Sequence, residues 1–584
     1  MKSSNDLHKL LLSLDGRPDD AAVGMKGEYD YGDFTLIADF YSRDSSKNTA
    51  RLRARMPLER ARFPIDVFTP KIRETAARDF IARTFHSLIP RHALKASGGV
   101  TGGRVFIDRP GQELLETSAV VVGDGHVEVR FTVEIPHKKR KIVASSAIDL
   151  FIERIPALIR GSLVFAALDG EKLADWIEIC EDADAARMQL RERKLVGFIA
   201  GGSILPRRDQ SGHPLVDGVV RLEVPSELGV TLELPNRGPI HGLGIPAGIT
   251  VITGARFQGK STLIRALELG VYNHAPGDGR EFAVTVHDAV GIQAEAGRSM
   301  ERVDLSPFFG LKQRGTDMTR FSTLSATASE SVAANIMEAL ETGTALLLID
   351  EDAIPADMVG RDARMQELVS LENAGREVSA SASLVDILSQ LRDTLDVSAV
   401  IAVSGAGDYL GIADTVIAMK GYQPYSVTEQ ARRIVESEKS KRTAELPVEV
   451  KRPVSRQILS GSFESDSDTG VRSGAKGRAS GDDAEKPAGS TMMQVRYGDE
   501  YIDVSHLSQI VNPSQVRALS RSLALVHRLI GGSGSLNDVV SRVISRIEQV
   551  GLDTLSGRLM GDLCMFRAHE LAATLNRMGK LRVK

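Results

Sequence analysis

From Gly254 to Ser261 the sequence reads GARFQGKS: two glycines with four residues between them, then a lysine and a hydroxyl side chain. β-Branched ITVIT precedes this stretch and STLIRALEL follows it with helical spacing, so it joins a strand to a helix. Glycines let successive backbone N–H groups curl around an anion, and the helix N-terminus adds the positive end of its dipole. In that setting Lys260 reaches β- and γ-phosphate oxygens and the Ser261 hydroxyl ligates Mg²⁺. Gly254, Gly259 and Thr262 complete the expected phosphate-binding loop. A second apolar strand, in ALLLIDED, ends in Asp350 and Glu351. A P-loop nucleotidase needs an acidic residue on Mg²⁺ at a neighbouring strand end, which Asp350 supplies. Glu351, next in sequence, is placed to orient and deprotonate an attacking water. GLGIPAG (242–248) imitates a dinucleotide-binding turn, but its third glycine comes one residue late and it precedes the strand, so it reads as a plain turn.

The elements that must position these residues are also legible. From Gly242 to about Ser426, apolar strands alternate with helical stretches, the pattern of a parallel sheet covered by helices. In SATASESVAANIMEALETG, Val332, Ile336 and Leu340 recur every four residues, giving a helix with one apolar stripe, and Thr327 with Glu330 forms a capping box at its start. The N-terminal half mixes strands (33–40, 103–109, 127–135) with an amphipathic helix over 74–89, an α+β pattern. Near the other end, Val516, Leu519, Leu523, Val526 and Ile530 make a core stripe, with Arg517, Arg521 and Arg528 on another face of the same helix. Together with Arg577, Lys580, Arg582 and Lys584 they could track the backbone of RNA or DNA; a solvated basic face explains them equally well. HKKRK (137–141) reads as a polar hairpin loop between strands.

The chain has 584 residues, too many for one core, and a net charge of −4, which argues against a polycation that coats nucleic acid. Cys180 and Cys564 are the only cysteines, so neither a disulfide framework nor a thiolate zinc site is implied. The opening residues read as neither a secretory signal nor a transit peptide, and no apolar run of about 18 residues occurs, so no membrane span and a cytoplasmic location are expected. Between Leu459 and Ser490, 13 of 32 residues are Ser or Gly, too few apolar groups to offset ordering entropy. The expected organisation is multidomain α/β: an N-terminal α+β domain (1–236), a P-loop core (237–436), a disordered Ser/Gly-rich linker (437–492) and a small, mostly helical C-terminal domain (493–584).

The runs GLGIPAGITVITGARFQGKSTLIRALELGVYNHAPGDGRE, AEAGRSMERVDLSPFF, AANIMEALE, LLIDED, RDARMQELV, SGAGDYLGIADTVIAM and ELAATLNRMGKLR resemble the predicted ABC-class ATPases. DGR (15–17), IDRPGQELLETS and GGSILPR (201–207) extend the resemblance over nearly the whole chain outside the linker. The resemblance implies an ABC-like core between the two flanking domains, a homodimer closing on two ATP molecules, and an association with RNA in some members. It assigns Thr327, Ala328 and Ser329 to the signature that binds the γ-phosphate held by the other subunit, and Gln293 to the Mg²⁺-linking glutamine. Three departures stand out. Ala328 replaces a glycine, Gln258 replaces a histidine, and Ala353-Ile354-Pro355 replaces small polar residues. The switch histidine is absent, leaving Ser404 and Asp408 in its neighbourhood, and no aromatic stands near residue 235 to stack on adenine.

The sequence thus reads as a homodimeric Mg²⁺-dependent ATPase coupling ATP to a nucleic-acid or protein partner. The alternative is an ATP-responsive clamp on nucleic acid with little or no hydrolysis, motivated by the three departures. A metabolic kinase lacks a substrate-pocket signature.

Overall fold

The computed structural model describes residues 1–43, 48–92, 99–209, 212–313, 315–360, 363–372, 382–438, 442–445, 447–463 and 493–584. Contacts divide the chain into two compact units: residues 1–181 with 550–565, and residues 182–463 with 493–549 and 566–584. In this grouping, residues 550–565 of the segment 493–584 go with the first unit and the rest with the second. No helix among the described residues is long and apolar enough to cross a membrane.

The first unit is built on a meander of four strands, β1 (Gly27–Asp30), β2 (Thr35–Arg43), β3 (Asn48–Pro57) and β4 (His126–Glu134), antiparallel in that order, with short strands at the edges. Helix α1 (Lys71–Leu88) buries Ile81 and Phe85 against this sheet, while Ala76, Ala77 and Phe80 pack into a second cluster with Leu173 and Ile177. Along β4, Val127, Val129, Phe131 and Val133 alternate into the core, as a period of two demands. The intervening Glu128 and Arg130 are buried as well, because residues 550–565 cover the second face: the Ser118 amide donates to Leu563 O at 2.9 Å and the Met565 amide to Glu116 O at 2.8 Å. The covered charges are matched. Glu128 accepts from Arg53 at 2.8 Å, Arg55 at 3.0 Å and Arg130 at 2.8 Å, and Arg130 donates to Asp553 at 2.8 Å. HKKRK forms a tight hairpin between His137–Lys138 and Lys141–Ile142, with Lys139 and Arg140 both at positive φ.

The second unit carries two sheets. Strands β5 (Leu195–Ala200), β6 (Gly229–Leu234), β7 (Gly238–Pro246) and the later β9 (Ala283–Thr285) form an antiparallel sheet in the order β6-β7-β5-β9. The central sheet holds β8 (Ile249–Thr253), β10 (Ala289–Ile292), β11 (Leu346–Asp350), β12 (Ser398–Ala402), β13 (Thr415–Lys420) and β14 (Gln423–Ser426). Its order is β10-β11-β12-β8-β13-β14, parallel except for the final hairpin. The runs ITVIT, LLLID and SAVIA are buried almost throughout, the composition of strands covered on both faces. Helix α2 (Lys260–Leu269) follows β8, and α3 (Ala328–Glu341) precedes β11. Val332, Ile336 and Leu340 are fully buried on α3, and every other residue from Ser331 to Glu341 is buried too, so the single apolar stripe expected from sequence is exceeded. Of the segment expected as linker, residues 464–492 lie outside the described residues. Its earlier part is built into this unit: Arg442 reaches Asp386 at 2.9 Å, Arg456 reaches Glu341 at 2.6 Å, and Gln457–Leu459 pairs with Ser533–Ser535.

Burial alone would push the Glu128 carboxyl up; the guanidiniums of Arg130, Arg53 and Arg55 outweigh it and hold the group below the usual glutamate range. Its stabilising contribution is therefore complete above the unfolded-state value and lost as pH falls through the folded one. Glu128→Gln leaves buried guanidiniums short of a counter-charge and is expected to cost about 3 kcal/mol in denaturant unfolding at neutral pH. The gap to wild type should close progressively in acid.

Candidate functional site

Ligands of open α/β sheets gather at the carboxyl ends of the strands, and the register of the central sheet brings the sequence-nominated residues to that edge. Asp350 on β11 and Ile252 on β8 both lie level with Ala402 on β12, and Ile292 on β10 lies level with Ile349. The loop 254–261, Gln293, Asp350, Glu351 and Ser404 thus all follow strand ends that line up side by side.

The loop's shape rests on its glycines. Gly254 has φ +135°, and a Cβ there would lie 2.4 Å from the Met419 carbonyl oxygen on β13. Gly259, at φ +96°, is the N-cap of α2 and offers no side chain of its own, so the first turn presents open N–H groups. The buried Lys260 ammonium donates to Gly254 O at 2.8 Å and Ala255 O at 3.1 Å, which holds it over the loop. Ser261 is exposed and Thr262 half-buried at the start of α2. Gln258, where the resemblance leads one to expect histidine, accepts from the Gly421 amide and so ties the loop to the β13–β14 turn.

Beside the loop, Asp350 is half-buried and its carboxylate accepts from the Asp352 amide at 3.2 Å, which turns the chain sharply after β11. The Glu351 carboxylate accepts from the backbone amide of Ser404. Ser404, in the neighbourhood where the resemblance leads one to expect a histidine, makes this contact through its main chain, without a sequence signature. Asp408 does not cap the next helical turn but lies inside it, within Gly407–Gly411. The Ala294 amide donates to Ala353 O at 3.0 Å, so the segment after β10 touches the turn after β11. The Gln293 side-chain amide donates to the His506 carbonyl.

At the start of α3 the capping box is present: Thr327 accepts from the Glu330 amide at 3.2 Å, and Glu330 accepts from the Thr327 amide at 2.8 Å. Ser329 donates to Asp357 at 2.6 Å. These bonds run within the helix start and to Asp357 rather than to the loop 254–261, so the structure does not join the Thr327–Ser329 trio to the loop. Ala328 is the first helical residue and has no positive φ, so the backbone there does not require the glycine it replaces; the methyl group's bulk remains.

Sequence reasoning missed the polar face of α3. Asn335 and Glu338 take the Arg298 guanidinium, with Glu338 at 2.7 Å, and Arg577 donates to Glu295 at 2.9 Å. Burial pushes the Glu295 carboxyl up, but Arg577 and then Arg298 bring it below its ordinary value. Arg577 is buried in this network, so it is removed from the residues read as tracking a nucleic-acid backbone. Lys580 pairs with Asp499 at 2.8 Å. On α4 (Pro513–Ile530) Leu519, Leu523, Val526 and Ile530 are buried and Val516 half-buried, Arg517 and Arg521 are half-exposed, and Arg528 is exposed.

The donor set suits a nucleotide and its magnesium ion: backbone amides and an ammonium for phosphate, and a hydroxyl and a carboxylate as hard oxygen ligands. Three family models match the chain: one described as the N-terminal region of ATPases of the ABC class over residues 4–166, the ABC-ATPase P-loop domain over 169–456, and the MRB1590 C-terminal domain over 486–584. The uncharacterized protein MJ1628 of Methanocaldococcus jannaschii is 30% identical over 251 residues, 41% of this chain and 53% of the relative. The chain thus spans about half the length of the curated relative it matches.

Gly254→Ala must accommodate a Cβ at a φ that L-residues rarely adopt, against a backbone oxygen that cannot swing away. It is expected to destabilise the protein by about 1–3 kcal/mol, read as an earlier midpoint in urea unfolding followed in the absence of nucleotide.

Proposed function

Since this chain belongs to the ABC-class ATPase family, we propose that it binds ATP with Mg²⁺ on the loop 254–261 and hydrolyses it in a dimer of two copies. The observation that supports this most is the alignment of loop, Asp350 and Glu351 on one sheet edge, with Glu351 oriented by the Ser404 amide. In this reading Gly254, Gly259, Lys260, Ser261 and Thr262 hold the phosphates, and Ser261, Asp350 and Gln293 hold the cation. Bound Mg²⁺ neutralises the charge that builds on the transferred phosphoryl group. Lys260 exchanges the carbonyls of Gly254 and Ala255 for phosphate oxygens. Glu351 keeps one carboxylate oxygen on the Ser404 amide and uses the other to orient and deprotonate water. The second copy supplies Thr327, Ala328 and Ser329 at the N-terminus of its α3, where the dipole and the amides of Ala328 and Ser329 suit a γ-phosphate.

The partner proposed is the backbone of RNA, held through Arg517, Arg521 and Arg528 on α4; the match of residues 486–584 to the MRB1590 C-terminal domain directs attention to this region. A cytoplasmic location is proposed with it, in keeping with two unbridged cysteines. The second reading, a clamp that binds ATP and partner with little turnover, is favoured by Ser404, which brings no side chain able to take the part of a switch histidine.

Phosphate release by wild type and Glu351→Gln in Mg²⁺ and ATP tests the first reading. A fall of about 100-fold or more is expected, with ATP binding retained; equal rates would remove Glu351 from the chemistry. Tight ATP binding and dimerisation without turnover by wild type would select the clamp. For the partner, Arg528→Ala is expected to weaken RNA binding for all sequences alike and to reduce the slope of log affinity against log salt by about one.

A further inference from the structure

The geometry points to Tyr422, with Phe257 beside the loop, as the aromatic platform on which the nucleoside base of the bound triphosphate stacks. This rests on the nucleotide site proposed above and supplies an aromatic for the base, which the neighbourhood of residue 235 does not offer.

Sheet order gives the direction. Asp350 and Glu351 end β11, two strands to one side of β8, whereas the β13–β14 turn lies on the other side, next to the loop. A triphosphate whose β,γ end faces the carboxylates must carry its α-phosphate and nucleoside towards β13. Tyr422 stands there. Gly421 and Tyr422 form a two-residue turn at φ +59° and +65° between the paired Lys420 and Gln423. Such a turn asks for Asn or Gly, so nothing in its mechanics calls for an aromatic. The turn is fixed from both sides: Gly421 donates to Gln258 of the loop, while Gln423 accepts from the Glu223 amide at 2.9 Å and donates to Arg221 O at 2.9 Å. A ring carbon of Tyr422 lies 3.5 Å from the point a Cβ on Gly259 would occupy, yet the residue is 55% exposed.

Phe257 adds an independent observation. It sits inside the phosphate loop at φ +63° and is 89% exposed. A bulky side chain in the left-handed region is a strained choice where glycine would be comfortable, and an apolar ring in water gains nothing by burial. Strain of this kind persists where a ligand uses it. Two exposed rings, one in the loop and one pinned against it, provide π-faces on the nucleoside side; stacking of a base on an aromatic is insensitive to which base it is.

The test measures binding of two probes, Mg²⁺-ATP and inorganic tripolyphosphate with Mg²⁺, to full-length wild type, Tyr422→Ala, Tyr422→Phe and Phe257→Ala. Tyr422→Ala is expected to lose about 10-fold in ATP affinity while tripolyphosphate binding stays unchanged; Tyr422→Phe, which keeps the ring, should restore ATP binding. Phe257→Ala, inside the loop itself, should lower ATP affinity by less than Tyr422→Ala does. Unchanged ATP affinity in Tyr422→Ala, or an equal loss for both probes, would overturn this assignment and leave the phosphate site standing. If wild type binds neither probe, the nucleotide site itself fails and the assignment with it.

Discussion

A strand that hands over to an anion-binding loop must turn as soon as it leaves the sheet, and here the neighbouring strand leaves no slack for that turn. Thr253 lies level with Ala418, and the Met419 carbonyl that follows would overlap a Cβ on Gly254. Only a residue without a Cβ, at a φ that L-residues rarely adopt, passes this point. Everything at the sheet edge follows from it. The chain folds back over β8, Gly259 begins α2 with its amides uncovered, and the Lys260 side chain closes the loop from inside. The register of β12 and β11 then sets how far the carboxylates stand from those amides.

A second constraint is electrostatic and holds the surroundings of that edge together. The segment after β10 is bonded to the start of α3 through the Glu295 amide and Ser331 at 2.8 Å, and to the C-terminal helix region through Glu295 and Arg577. Asn335 donates to Gln293 O at 2.9 Å. Arg456 joins Glu341, at the other end of α3, to Asn576 at 2.6 Å. Removing one partner from a buried ion pair typically costs about 3–5 kcal/mol. These pieces therefore cannot part company cheaply, and a displacement of Gln293 is shared by α3 and by the residues around Arg577. The buried charges specify how the C-terminal segment attaches more than they add to stability.

Legibility in the sequence divides along the same line. Local chemistry was visible: the glycine-spaced loop between a β-branched strand and a helix, the Asp-Glu strand end, and the Thr327–Glu330 capping box each involve residues close in sequence. What escaped depends on distant residues or on backbone groups. Asn335, Glu338 and Glu341 fall outside the apolar stripe read from the sequence, and nothing near them in the chain announces their partners Arg298 and Arg456. Arg577 read as a surface cation for the same reason, since nothing around it in sequence announces Glu295. The Ser404 amide that holds Glu351 could not be seen, because every residue but proline has one. Ala328 stood out as a replaced glycine, whereas its place at the first turn of α3 asks only for helical backbone. Within the segment expected as linker, Arg442, Arg456 and Ile458 are held by ion pairs, a short strand and burial, contacts to distant residues that local apolar content does not announce.

The groups that would hold a nucleotide and those that would turn it over are held in different ways. Phosphate recognition in the proposed site draws on main-chain amides and on a lysine anchored by the loop's own carbonyls, so substitutions elsewhere leave it largely intact. In the proposed reading, water activation would depend on one carboxylate, with one of its oxygens already engaged by the Ser404 amide. Because that contact is to the backbone, the side chain at 404 can vary without releasing Glu351, and the lack of a histidine removes a participant without misplacing the carboxylate. The same contact leaves no second side chain to steer the water. In the proposed site, binding would thus draw on geometry that many sequences can satisfy, while turnover would rest on the turn 351–354 and the segment after β10, joined through Ala294 and Ala353.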